Sequence, residues 1–270
     1  MKKLVAIILA GLMILALVAC GGKDENVVKI GVLEGSSMES IRSEEHVAHM
    51  NMPLNNCTNY SNYSNLSAAL MDLENGKIVG IGVDKSTADY IIAQNDKLTF
   101  DSTRTQTNYA MMTLDSNKDV YDILNNAIKE MKADGTLATL IENELKAYIE
   151  SDPEAKDLPH FDGAKTIKIG VTGDLPPMDF VAANGKAAGF NIALLTEIAN
   201  RAQVNIELVQ IETGARAISL SSGKVDAVFW TKSVTCTVCG ATGAEKIEGT
   251  LVTESYFSDY AALIKLKSAN

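Results

Sequence analysis

Two stretches decide the fold of this chain: Val28-Lys29-Ile30-Gly31-Val32 near the start and Ile167-Lys168-Ile169-Gly170-Val171 past the middle. Each is a short β-branched run halted by a polar, glycine-containing turn. The turn is Glu34-Gly35-Ser36-Ser37 in the first and Thr172-Gly173-Asp174-Leu175-Pro176-Pro177 in the second. Further along, each run is followed by a helical stretch that closes on Gly-Lys and by a second apolar run. These are Asn75-Gly76-Lys77-Ile78-Val79-Gly80-Ile81-Gly82-Val83-Asp84 and Ser222-Gly223-Lys224-Val225-Asp226-Ala227-Val228-Phe229-Trp230. A chain that states strand, turn, helix, Gly-Lys and strand twice predicts two similar α/β lobes. Between two such lobes lies a crevice where the carboxyl ends of the strands meet.

The 270 residues, 46% of them hydrophobic, suffice for one large or two modest cores. The formal net charge of −10 excludes the basic face that nucleic-acid binding requires, and argues against docking on anionic lipid by charge. At the N-terminus, Lys2-Lys3 is followed by an apolar run over 4–18, too short to span a bilayer as a helix. It ends in Leu17-Val18-Ala19-Cys20, which matches the lipobox of bacterial lipoproteins. The expectation is a signal peptide over 1–19, a lipidated Cys20 with a tether over 20–27, and a mature protein anchored at the outer face of the cytoplasmic membrane. Cys57, Cys236 and Cys239 remain, so one disulfide at most forms within the chain.

The pattern predicts helices over 66–73, 88–93, 120–131, 136–149, 192–202 and 215–221. Strands are expected over 78–83, 108–114, 206–211, 225–230 and 260–266. Asp84, Ser86 and Thr87 are candidate caps of the helix at 88–93, and Asp134-Gly135 splits the pair at 120–149. The proline- and charge-rich stretch 151–164 reads as a linker.

Residues 165–266 resemble the opening half of a type II periplasmic solute-binding protein of the polar amino-acid family that feeds ABC importers. The likeness rests on Lys168-Ile169-Gly170-Val171, Pro176-Pro177-Met178-Asp179-Phe180, Gly189-Phe190-Asn191-Ile192, Ser222-Gly223-Lys224-Val225-Asp226-Ala227 and Leu251-Val252-Thr253-Glu254-Ser255-Tyr256-Phe257. Residues 28–149 resemble the closing half, through 65–84 and Lys132-Ala133-Asp134-Gly135-Thr136. The resemblance implies a two-lobed α/β fold in circularly permuted order. Residues 28–104 form the family's second lobe, 105–150 its terminal strand and helix pair, 151–164 a new linker, and 165–270 its first lobe. A single crossover near 101–107 would then join the lobes. Tandem fragments of two incomplete proteins are the competing explanation, and they would leave sheet edges exposed.

The resemblance also implies a substrate-binding lipoprotein that closes on a small molecule, first an amino acid, and passes it to an ABC permease as a monomer. No enzyme activity, cofactor, metal or nucleic-acid partner is expected. Asp84 lies where the family places an acid for an α-ammonium, and it serves equally as a helix cap. Ser36 and Ser37 follow a strand and open toward an anion. The family's arginine for the α-carboxylate is missing, and Val234-Thr235-Cys236 stands near its place. Lys232, Lys246 or Arg216 remain as partners for a carboxylate. Thr231 and Ser233 are hydroxyl contacts, Met178 and Trp230 apolar walls (with Trp230 equally a core residue), and Asp174 or Asp179 faces the cleft or stabilises its turn. Cys236-x-x-Cys239 has no second pair for structural zinc, and His46-x-x-His49 reads as a charged helical face. The rival class is an enzyme on the same architecture, such as a dehydratase-like relative. No acid/base pair or nucleophile motif supports it. A lipoprotein that presents ligand to a separate sensor is a further alternative.

Overall fold

The computed structural model describes residues 29–36, 59–150, 155, 157–236, 242–243 and 247–267. The chain opens with β1 (Lys29–Leu33), β2 (Asn59–Tyr63), α1 (Leu66–Glu74), β3 (Gly80–Asp84), α2 (Lys85–Gln94) and the long β4 (Leu98–Leu114). Helical segments α3 (Lys118–Ala133), α4 (Thr136–Leu140) and α5 (Lys146–Glu150) follow. The second pattern comprises β5 (Thr166–Val171), β6 (Asp174–Leu175), β7 (Asp179–Val181), β8 (Ala187–Ala188), α6 (Phe190–Ala202), β9 (Asn205–Gln210), α7 (Arg216–Ser221) and β10 (Ala227–Cys236). It ends in β11 (Thr242–Gly243), β12 (Thr250–Val252) and β13 (Phe257–Leu266).

The repeat seen in the sequence is a repeat in topology. β1 lies parallel between β2 and β3, and β5 lies parallel between β9 and β10. Each parallel triplet is then flanked by one antiparallel strand, β13 beside β3 and β4 beside β10. The strands run in the order β2-β1-β3-β13-β4-β10-β5-β9, with β12 alongside β4. Two cores match the two lobes. Leu73, Ile81, Val83, Ala88, Leu98 and Ile264 pack in the β1 lobe. Leu124, Ile128, Met131, Ile167, Ile169, Phe190, Leu194 and Ile198 pack in the β5 lobe. The expected two-lobed α/β architecture is the observed one.

Local chemistry sets the elements. Asn65 caps α1, its side chain accepting from the Ala68 N–H at 2.9 Å. In α3 the buried Val120, Leu124, Ala127, Ile128 and Met131 fall on one face of a 3.6-residue period. Gly135, at φ +82°, turns the chain out of α3, while the Asp134 carboxylate accepts from the Thr136 N–H at 2.9 Å and pairs with Arg201 at 2.8 Å. These contacts hold Asp134 down near pKa 2. The stretch expected as one helix over 136–149 is interrupted by a π turn at Ile141–Leu145.

The expectation of one crossover fails. β4 passes from the β1 lobe, where it pairs with the end of β13, into the β5 lobe, where it pairs with β10 and β12. β13 makes the return journey: Phe257 pairs with Tyr109, and Ala261–Ile264 pair with β3. The reason lies in β3, whose five residues are all buried. A strand buried on both edges needs a ladder partner on each side, and β13 supplies the one that β1 does not. The end of the chain expected within the 165–270 lobe therefore completes the other lobe's sheet.

Candidate functional site

Between the lobes, at the carboxyl ends of β1, β3 and β5, lies a cavity of about 30 Å³, room for a water or two. The β1 lobe contributes Leu33, Glu34, Gly35, Ser36, Asp84 and Ser86. The β5 lobe contributes Leu175, Met178, Asp179, Asn191, Arg216 and Phe229, and the crossover strands bring Tyr109 and Phe257 with Tyr256 beside them. The lobes touch around it: Tyr90 of α2 meets Phe180 of β7 with ring centroids 6.0 Å apart.

Arg216 opens α7 and, of the three cations offered by the sequence, is the one that lines the cavity among the described residues. The side chains of Lys232 and the whole of Lys246 lie outside the described residues. Opposite stands Asp84, buried at the end of β3 and the N-cap residue of α2. It makes no side-chain cap bond. The cap of α2 comes from far away instead: Asp259, on β13, accepts from the Ser86 N–H at 2.9 Å and from the Tyr260 N–H at 2.7 Å. That corrects the expectation that Asp84, Ser86 or Thr87 caps this helix. Burial and the neighbouring Asp84 charge push Asp259 up to about 6, against the pull of the Ser86 hydroxyl and of the Ser86 and Tyr260 N–H groups. Tyr109 is pushed well above its usual range by burial and by the charges of Asp84 and Asp259, so its hydroxyl keeps its proton beside Asp84.

Ser36 lines the cavity, but it is not the anion cradle expected of it. Its N–H and its hydroxyl both donate to the Leu33 carbonyl, at 3.1 and 2.6 Å. A donor so engaged is spent on the turn, a Ser hydroxyl having one proton to give. Ser37 lies outside the described residues, as do Cys20, Cys57, Cys239, His46 and His49. Met178 is buried and lines the cavity. Trp230, Thr231 and Ser233 lie on β10, paired with Ala110, Tyr109 and Asn108 of β4; their side chains fall outside the described residues. Phe229, one residue earlier, lines the cavity.

The two aspartates of the Pro-Pro turn separate. Asp174 is exposed on β6 and lines a neighbouring groove with Thr172, Gln210 and Lys224, not the cavity. Asp179 lines the cavity but is tied down. Its Oδ1 accepts from Thr172 N, Thr172 Oγ1 and Gly173 N at 2.8, 2.6 and 2.9 Å, and its Oδ2 accepts from Asn191 Nδ2 at 2.9 Å. Asp179 thus fixes the turn on α6. Sequence reasoning missed Asn191, Tyr109, Tyr256 and Phe257 as lining residues; the quoted Gly189-Phe190-Asn191 and Tyr256-Phe257 motifs were the available signals. Among the described residues no cluster of three or more His, Cys, Asp or Glu is placed to hold a metal ion, and no helix is long and apolar enough to cross a membrane.

Three solved structures similar to this chain share 8–12% identity with it. One is an ABC transporter periplasmic binding protein from Brucella ovis with glutathione bound, at TM-score 0.47 and 12% identity, with 91% of this chain and 64% of that one covered. A second is the ligand-binding component of an ABC-type import system from Staphylococcus aureus, at TM-score 0.46 and 10% identity, covering 89% and 66%. A third is CbnR, a LysR family transcriptional regulator, at TM-score 0.44 and 8% identity, covering 90% and 65%. The chain spans just under two thirds of each. A search of curated proteins gave no match. Residues 167–237, which run from β5 through the Pro-Pro turn, α6, β9 and α7 into β10, match the bacterial extracellular solute-binding proteins, family 3.

Proposed function

We propose that this chain is the substrate-binding component of an ABC importer, anchored by lipid on Cys20 at the outer face of the cytoplasmic membrane. It closes two lobes on a small polar metabolite, an amino acid before others, and presents it to a permease. The observation that carries this reading is the cavity itself, which sets Arg216 of one lobe and Asp84 of the other on a single small space. A zwitterion needs both charges met when it is buried, since an unpaired buried charge costs several kcal/mol. In place of the family's missing arginine, Arg216 offers the planar fork that suits a carboxylate. A space of about 30 Å³ is too small for any amino acid, so entry requires the lobes to part. The ladders of the crossing strand β4 with β10 and with β13 shift register at Thr231/Ser233 and Tyr260/Ala262, which fits bending there. Ligand then biases an open–closed equilibrium by touching both lobes. The family match falls in the second half of the chain, with a complete β1–β2–β3 unit ahead of it, and this favours a permuted lobe order.

A thermal-shift screen against amino acids, small peptides, amines and carboxylates tests the reading. A ligand at a thousand times its Kd adds about 4 kcal/mol, a midpoint rise on the order of 8–16 °C for a chain of this size. A rise with one amino acid that is lost in Asp84→Ala and Arg216→Gln supports it. Folded protein that responds to none of the panel refutes it.

A further inference from the structure

Asp84 and Asp259 are buried carboxylates on neighbouring strands. Ala261 of β13 pairs with Asp84 of β3, and Asp259 lies two residues before Ala261 on the same buried face of its strand. The two acids are therefore diagonal neighbours across one ladder. Continued by two residues, that register sets Asp259 opposite Ser86, and there its carboxylate accepts from the Ser86 N–H. Of the two, Asp84 lines the cavity, and Asp259 stands behind it without a place in the wall.

The charge that bears on Asp259 is that of Asp84, while Ser86 and Tyr260 give it hydrogen bonds. Across the ladder with β4 stand the uncharged Thr107 and, two residues on, Tyr109, whose phenol keeps its proton. On α2, Lys85 is paired with Asp89 at 2.5 Å, and Tyr90 turns to Phe180 of the other lobe. On β13 itself Tyr260 faces outward. From the β5 side the cavity brings Arg216, Asp179, which is held by donors of its own turn, and Tyr256, which burial keeps neutral. Two like charges set close together away from water do not both ionise readily, so such a pair keeps a proton that an isolated surface carboxylate loses.

We propose that Asp84 and Asp259 act as one proton-linked pair, which holds a cationic cargo group more tightly when both are ionised than when they keep a proton. The inference rests on the reading of the cavity as an amino-acid site and adds its regulation. The positive end of a cargo at the cavity wall drives the proton from the pair to solvent, and two negative charges then face one positive charge. In acid that proton must first be displaced, so affinity falls as pH drops below about 6. Asp259 is a positioning residue in this scheme: it touches no cargo and acts through Asp84.

The test uses the full chain in detergent and an equimolar mixture of the twenty protein amino acids, titrated by thermal shift at pH 7.5 and at pH 5. The half-saturating concentration of wild type should be about tenfold higher at pH 5, which lies about one unit below the pKa of about 6. Asp259→Asn keeps an oxygen for the Ser86 N–H and removes the proton site. It should bind with one affinity at both pH values, near that of wild type at pH 5. Any titration of the cargo itself appears in this variant too, so the comparison isolates Asp259. If the variant does not fold, wild type alone decides: the mixture, added at pH 6 in weak buffer, should release about half a proton per protein, read with a pH indicator. Wild-type affinity that is unchanged or higher at pH 5, an Asp259→Asn protein with the wild-type pH dependence, or no proton release at pH 6 each overturns the proposal. Folded wild type that responds to the mixture at neither pH overturns the underlying amino-acid reading instead.

Discussion

Arg216 of the β5 lobe crosses the cleft to lie against Gly35 of the β1 lobe: a Cβ placed on residue 35 would overlap its Nη1 and stand 2.6 Å from Thr213 Cγ2. The contact is returned, since a Cβ on Gly214 would stand 3.0 Å from Glu34 Oε2. Each lobe thus rests a charged side chain on a glycine of the other. Gly35 is also at φ +74°, a conformation that L side chains rarely adopt. Gly35→Ala is expected to hold the lobes apart. Its radius of gyration in solution scattering should exceed that of wild type, and its response to amino acids should fall by tenfold or more. A wild-type scattering profile would mean that the close approach plays no part in closure.

Arg216→Lys keeps the charge but loses the fork. A point charge on a flexible stem cannot make two parallel bonds to one carboxylate. The expected loss is about tenfold for Lys and a hundredfold or more for Gln, in the range of truncating one partner of a buried charge pair. Titration calorimetry with the cargo found by screening reads both. Equal affinities for Lys and Gln would show that the guanidinium acts through packing alone.

Asp259 predicts an unusual pH response. Its folded pKa of about 6 lies above the ordinary carboxylate value of 3.8, so between these limits the folded state binds more protons than the unfolded one. Stability from this group therefore falls as pH rises from about 4 to about 6 and is level above that. Asp134, held near pKa 2, works the other way and only below about pH 4. Urea midpoints should rise between pH 7 and pH 5, and Asp259→Asn should flatten the rise while leaving an oxygen to cap Ser86. A wild-type midpoint that falls over that interval contradicts the assignment.

The sequence carries the lobes plainly, because Ile30, Val32, Ile81 and Val83 on one side and Ile167, Ile169, Ala227 and Val228 on the other are continuous buried runs with Gly-Lys turns between them. Asp84 and Met178 each follow a recognisable strand or turn, whereas Arg216 is one of three cations among which the sequence does not choose. What was not legible depends on distance along the chain. Nothing near residue 84 announces that Ser86 is capped by Asp259 at a separation of 173 residues. The run at 257–266 reads as a strand, but its partner is chosen by the unmet edge of β3, which only the assembled sheet reveals. Asp174 and Asp179 are alike in sequence. One becomes the anchor of the turn because four donors converge on it, and the other is left at the surface.

That convergence is itself testable. Asp179→Ala should cost on the order of 3–5 kcal/mol, because it strands buried donors on Thr172, Gly173 and Asn191. Asn191→Asp sets two carboxylates face to face, and Asp179→Asn removes the charge and obliges the Asn191 amide to turn over to meet the new –NH2. The double exchange restores one donor and one acceptor with their roles swapped. A double-mutant cycle on chemical denaturation should give a favourable coupling of about 1–3 kcal/mol. Additive effects would mean that the Asn191 amide does not face Asp179 as described.

The crossing of β13 is checked from the other end of the chain. Gly80, the first residue of β3, has no room for a side chain, since a Cβ would stand 2.9 Å from Leu263 Cδ1 and 3.0 Å from the Ile264 carbonyl oxygen. The second of these is backbone and cannot yield without parting the ladder. Gly80→Val should therefore destabilise the β1 lobe by about 1–3 kcal/mol, the range for overpacking. Hydrogen exchange should quicken at Ile81–Val83 and equally at Ala261–Ile264, far away in sequence, while Ile167–Val171 stay protected. If exchange quickened at β5 and not at β13, the end of the chain would belong with the β5 lobe after all, and the β1 lobe would close its sheet without it.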